Sequence, residues 1–391
     1  MMRIVTFACL GGFVCSAAAL AQSSSEPNAT AATTGRSAWV YVSSVIGTTN
    51  KTDVYGFAAA SNGKLTPLAG SPFAADLSSM AVNGVYLFGV PASGTMIDTY
   101  RIQSNGTLTY AKSTNAAAAN NCGTLPGPVF LDHSGANLYD FYYWGDSICS
   151  NNVYQAWKVV KSSGALTYDG AAGGSQDIGG PLTFIGNDKF AYTSDCYHFN
   201  PQISGFKRNS DGSLTKLSLA QAWPAARSGQ AYCAYLAAAD PTNHLAIPVR
   251  PYADYGDPAG PYQLASYTVN TTTGAINTGS TYANMPKIAV GDVRAIRMSP
   301  SGKLLAVAGT GGLQVLHFNG ANPATAYTGL MSTNAMDAVY WDNNDHLYAI
   351  GTAANKLVVF TVTPVSWKWV ATYTVHQPVG LIVQPLPLPW R

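Results

Sequence analysis

The chain has 391 residues, only 10% of them charged, and a formal net charge of +2. That balance excludes the basic stripe a nucleic-acid-binding surface requires, so no nucleic-acid partner is expected. Glycine and tyrosine are abundant (38 and 23), and no helical periodicity persists beyond a few residues, which excludes a helical bundle.

At the start, Arg3 supplies a positive charge, an apolar run extends from Ile4 to Leu20, and Ala19-Leu20-Ala21 offers a small-x-small cleavage site. This pattern predicts a secretory signal peptide over residues 1–21, too short and too abruptly ended for a membrane span. Cys15 follows Gly12-Phe13-Val14, a poor context for lipidation. Residues 22–36 are small and polar and read as a flexible leader. An exported protein, secreted or periplasmic, is expected, with residues 37–391 as a single domain. The only glutamate, Glu26, lies in the leader, so every acidic group of that domain is an aspartate.

The domain is organised around Asp53 to Leu68, DVYGFAAASNGKLTPL, which reads as a strand, a turn closed by Asn62-Gly63, and a second strand. Weaker copies follow at Asp98–Tyr110, Tyr154–Tyr168, Ile203–Leu217 and Leu264–Asn277, with degenerate ones at Leu313–Gly329 and Leu357–Val375. The glycines that anchor the first five (63, 106, 164, 212 and 274) recur at intervals of 43 to 62 residues. Strand-only repeats of roughly this period predict an all-β, seven-bladed β-propeller of four-stranded antiparallel blades.

Each repeat extends backwards into two more strands joined by a tight turn. The turns are Asn83-Gly84, Asp132 to Gly135, Gly186 to Asp188, Asp240 to Asn243, Ser299 to Gly302 and Asp342 to Asp345. Blade 1 lacks its first strand, and Val379 to Val383 is free to supply it and close the ring. With strands A to D numbered from the axis outwards, the A–B and C–D turns share one end of the domain. The longer B–C and D–A loops share the other, where function is expected.

Four cysteines remain after the signal, Cys122, Cys149, Cys196 and Cys233, all in or beside the long loops. An even number in an exported chain favours disulfides over metal or redox chemistry. The pairing Cys122–Cys149 with Cys196–Cys233 suits this placement best, and the two other pairings stay open.

The run Gly56-Phe57, Gly63 to Leu68 and Gly70 to Phe73, together with the Ser299 to Val307 hairpin, resembles the seven-bladed lactonase-like propellers of the 6-phosphogluconolactonase and carboxymuconate cyclase type. The resemblance spans nearly the whole domain and implies its fold. The active-site pattern of that family does not carry over. Its His-Pro-His run entering blade 3 is here Leu125-Pro126-Gly127-Pro128, and its Pro-Arg-His-like run entering blade 5 is Ala231-Tyr232-Cys233. Arg250-Pro251 stands near the place of its Asn-Glu, and Ala308-Gly309 replaces its Asn-Arg.

The polar and aromatic residues expected at the long-loop mouth are Tyr143, Trp144, Asp146, Tyr197, Arg227, Tyr252 and Asp254, with His198, Asp195 and Arg250 as the catalytic candidates. Aromatic rings stack on flat ligand faces, while Asp and Arg fix hydroxyls and carboxylates. His198, flanked by Asp195 and Tyr197, is the best candidate for a general base. The bland alternative is that these side chains only pack long loops together. Asp254 and Asp257 read as a solvated turn more readily than as a calcium site, and no metal is expected. Gly309 to Gly312 joins two strands and opens no helix, so it is not a phosphate loop; no cofactor motif is present. The expectation is a monomer that binds a small sugar-like or lactone-like molecule in the long-loop mouth. The alternatives are a lactone hydrolase rebuilt around His198 and Arg250, or an envelope propeller that binds another protein.

Overall fold

In the computed structural model, residues 35–387 are described except for 93–94, 117–125, 143–151, 176–179, 198–199, 235 and 255–256. The strands assemble into seven antiparallel blades, the seven-bladed β-propeller expected from the repeats. Blade 2 illustrates the order from axis to rim: Ser79–Val82, Tyr86–Val90, Met96–Ile102 and Leu108–Asn115. Blade 3 follows with Pro126–Leu131, Asn137–Tyr142, Asn152–Val159 and Leu166–Ser175, and blade 4 with Thr183–Phe184, Phe190–Tyr197, Asn200–Arg208 and Leu214–Lys216. Blade 6 comprises Val293–Met298, Leu304–Gly309, Gly312–Asn319 and Asn322–Ala326; blade 7 comprises Ala338–Trp341, His346–Gly351, Lys356–Val362 and Trp367–Thr374.

Blade 1 is completed from the far end of the chain. Pro378–Pro385 lies innermost and pairs antiparallel with Arg36–Val45, with Val40 opposite Val383 and Tyr41 opposite Ile382. Thr52–Ala60 and Leu65–Pro67 complete that blade. No unpaired inner edge is left between the first and last blades.

Blade 5 departs from expectation. The sequence suggests one inner strand from Cys233 to Ala238, but the structure has two pieces, Ala231–Ala234 and Ala238–Ala239. Both pair with the long strand His244–Asp254, Ala234 opposite Val249 and Ala238 opposite Ala246. One extra residue on the inner side makes the interruption a β-bulge. Gln263–Val269 and Ile276–Asn277 complete this blade. His346 opens strand B of blade 7 and is buried, its Nδ1 2.7 Å from Asp342 Oδ2.

Among the described residues, the buried apolar side chains gather at the seams between neighbouring blades. Val40 and Val42 face blade 7, packing with Tyr348, Ile350 and Val359. Their neighbours Trp39 and Tyr41 face blade 2, packing with Leu77, Leu87 and Tyr100. Successive residues of a strand point to opposite faces, so a strand held between two blades is apolar on both. This explains why second strands such as Tyr86–Val90 read as continuous apolar runs and the outermost, such as Leu108–Asn115, as polar ones.

Candidate functional site

The long-loop end of blades 5 to 7 carries a line of charged side chains that starts at Arg250. This residue sits near the end of strand B of blade 5, opposite Cys233, and its Nη1 lies 3.2 Å from Asp292 Oδ1. Asp292 precedes strand A of blade 6. Its position is held by the hairpin across Gly309–Gly312: Asp292 N donates to Thr310 Oγ1 (2.9 Å), and Thr310 N to the Asp292 carbonyl (3.0 Å). Gly311 N donates to the Val290 carbonyl at 2.6 Å, so the amides of that glycine-rich turn are spent inside the fold.

Two residues on, Arg294 forms an ion pair with Asp337, which precedes strand A of blade 7. Asp337 Oδ2 also accepts from Thr352 N at 2.7 Å, and Thr352 Oγ1 donates to the Pro378 carbonyl of blade 1 at 2.6 Å. Burial works against ionisation of Asp337, but the bonds from Thr352 and Arg294 outweigh it and hold its carboxyl below the usual range. The line therefore crosses four consecutive blades.

Aromatic rings flank its first member. The Arg250 guanidinium carbon lies 5.2 Å from the Tyr262 ring centroid and 5.9 Å from that of Tyr252, and Arg250 Nε donates to the Gly260 carbonyl. Burial, reinforced by Tyr252, pushes the Tyr262 hydroxyl up, with Arg250 opposing. Tyr262 therefore stays a neutral hydroxyl beside a cation at any physiological pH.

Arg227 belongs to a different group. Its guanidinium lies 3.8 Å from the Tyr282 ring centroid. Burial and Tyr282 push the Tyr232 hydroxyl up and Arg227 pulls it down, which places all three groups together. Tyr232 packs with Phe190 and Tyr192 of blade 4. Arg250 instead contacts Tyr262, which packs with blade 6. Side-chain alternation thus separates Tyr232, which lies beside Arg227, from Arg250 onto opposite faces of blade 5.

Of the remaining expected site residues, Tyr143, Trp144, Asp146 and His198 lie outside the described residues, as do the side chains of Asp195, Tyr197 and Asp254. Cys196 and Cys233 form a disulfide, with Cα atoms 5.2 Å apart, that ties strand B of blade 4 to strand A of blade 5. Cys122 and Cys149 lie outside the described residues. Among the described residues, no group of three or more His, Cys, Asp or Glu is placed to hold a metal ion, and no helix is long and apolar enough to cross a membrane.

Asp292, Arg294 and Asp337 were not among the residues expected at the site. Their one signal in the sequence is position: each is a charge at the entry of an inner strand, where an apolar residue would otherwise stand.

The inner strands also surround a cavity of about 520 Å³, and it opens at the short-turn end, opposite the mouth expected from the long loops. Its wall is made by the last residues of strands A from six blades, together with their A–B turns. The short A–B turns leave that end uncovered, whereas the long loops are all at the other.

No known family profile matches the sequence, and a search of curated proteins finds no match. Among solved structures, a protein from Lactobacillus plantarum is similar with a TM-score of 0.61 at 15% identity, covering 89% of this chain and 99% of that one. A putative 6-phosphogluconolactonase from Bacteroides fragilis follows with a TM-score of 0.52, also at 15% identity, covering 89% and 98%. Hydrazine synthase from Kuenenia stuttgartiensis is similar as well, with a TM-score of 0.50 at 12% identity, covering 80% and 93%. The chain has the lactonase-like propeller fold. The chemical difference between the last two neighbours illustrates that this fold does not fix a function.

Proposed function

We propose that this is an exported propeller that binds a small sugar acid, or the corresponding lactone, at its long-loop end, with binding rather than turnover as its activity. The observation that carries the reading is the Arg250–Asp292 and Arg294–Asp337 line, flanked by Tyr252 and Tyr262. The Asp292 side chain is 67% exposed and that of Arg250 only 26%. An exposed ion pair of this kind is worth about 0–1 kcal/mol, so a ligand carboxylate can take the place of Asp292 at little cost. The guanidinium offers a planar fork for the carboxylate, and the half-buried Tyr252 offers a ring for the pyranose or lactone face, with the buried Tyr262 packed beside the guanidinium. Export is supported by the signal-like residues 1–21 and by the Cys196–Cys233 disulfide, a bond that persists in oxidising compartments.

The absence of the family's histidine, arginine and glutamate positions favours binding over hydrolysis. Proton release by the purified mature protein against sugar and aromatic-acid lactones tests this directly. Rates equal to spontaneous hydrolysis are expected. Saturable release abolished by His198→Ala would establish a hydrolase with a rebuilt site and overturn the preference for simple binding.

A further inference from the structure

The cavity at the short-turn end has a chemistry of its own, independent of the long-loop reading. Its wall is polar and apolar in about equal measure, the apolar part coming from Met80, Leu131, Phe184, Met298 and Ile382. The polar groups around its mouth are mostly spent. Asp132 is paired with Arg208 at 2.8 Å, and His133 with Asp188 at 2.7 Å. Asn83 Nδ2 donates to the Gly135 carbonyl at 3.1 Å, and Gln384 Nε2 to the Pro385 carbonyl at 3.0 Å.

Arg297 is the exception. It lines the cavity from strand A of blade 6, and its guanidinium carbon lies 5.0 Å from the centroid of the Tyr340 ring. Trp341 Nε1 donates to the Arg297 carbonyl at 3.1 Å, which fixes the backbone behind the side chain. Among the described residues, Arg297 forms no ion pair, and it is exposed. The Asp132–Arg208 pair cancels and Asp188 is taken up by His133, so among the described residues Arg297 is the cation at the mouth without an acidic partner. A guanidinium stacked on a ring keeps its planar fork of donors turned to one side, the geometry that matches a carboxylate. The space below is in the usual range for a small-molecule site, aromatic and thioether groups in its wall adapt to a flat apolar body, and no second cation asks for a dianion.

We propose that this cavity is a second binding site, taking an aromatic monocarboxylate with its carboxylate on Arg297 and its rings among Met80, Phe184 and Ile382. The test is isothermal titration of the mature protein with 2-naphthoate and with uncharged 2-naphthalenemethanol. Saturable one-to-one binding of the acid is expected, about tenfold or more weaker for the alcohol and for Arg297→Gln. Arg297→Lys, which keeps the charge and loses the fork, is expected to fall between. Met80→Trp fills the space without touching the charge and is expected to abolish binding. Equal affinity for acid and alcohol, unchanged affinity in Arg297→Gln, or no saturable heat at millimolar acid would overturn the proposal. So would binding lost in Arg250→Gln and kept in Arg297→Gln, which would place the acid at the other end.

Discussion

At three seams a tyrosine hydroxyl of one blade is bonded to the turn glycine of the next. Tyr41 Oη donates to the Gly106 carbonyl at 2.7 Å, Tyr139 to Gly212 at 2.8 Å and Tyr192 to Gly274 at 2.7 Å. Gly274 shows why no other residue serves. Its φ is +75°, and a Cβ there would stand 2.6 Å from Leu217 Cδ1 and 2.8 Å from the Phe190 ring. A left-handed L-residue costs roughly 1–2 kcal/mol and overpacking a further 1–3, so Gly274→Ala should destabilise by about 2–5 kcal/mol in denaturant titration. Gly279→Ala, in open space, should be near neutral. The glycines were plain in the sequence because turn chemistry is local; their tyrosine partners were not, because the bond crosses between blades. Asp140 was equally hidden. It is fully buried, with Oδ1 accepting from Trp157 Nε1 at 2.9 Å and Oδ2 from Gln155 Nε2 at 3.2 Å. Burial pushes its carboxyl up from 3.8 to about 7, with the Trp157 and Gln155 bonds pulling against it. A folded pKa above the unfolded one means the folded state holds the proton more tightly. Its contribution to stability is complete below the unfolded value of 3.8 and is lost as pH rises through about 7. Asp140→Asn should flatten that slope in pH-dependent unfolding. Rotating the Gln155 amide would give the new Nδ2 an acceptor in Oε1, which now lacks a partner. An unchanged slope would mean that another group sets it.

At the level of elements, the terminal strand Pro378–Pro385 does the most for its length. It supplies the inner edge of blade 1, and its Leu381 and Val383 pack into the seam with blade 7 while Ile382 packs into the seam with blade 2. Removing residues 378–391 should expose the edge of Arg36–Val45, open both seams and replace cooperative unfolding by a broad, aggregation-prone transition in calorimetry. A sharp transition near the parent temperature would show that the ring closes without it. The need for this strand was legible, because blade 1 began without an inner strand and one apolar run was left over at the end. The bulge between Ala234 and Ala238 was not legible, since an alanine-rich run such as Ala234 to Ala239 does not mark where its register slips.

For the molecule as a whole, the fold was readable because each repeat announces its own turns, and seven such units leave one way to bury the strand faces. The candidate sites were much less readable. Arg250 is found by inspection of one loop, but Asp292, Arg294 and Asp337 meet only when separate blades are set side by side. The short-turn cavity is likewise built from single residues contributed by six blades, which no local motif records. The two ends of the ring thus differ in kind: charged pairs bordered by tyrosines at one, a space of mixed polar and apolar wall with one unpaired cation among the described residues at the other. The central claim is that the long-loop end receives a sugar acid. It is tested most directly by titrating D-gluconate into the mature protein and Arg250→Gln in a calorimeter. One saturable site, weakened about tenfold or more in the variant, is the predicted result. No saturable heat at millimolar gluconate, or equal affinity in the two proteins, would contradict it.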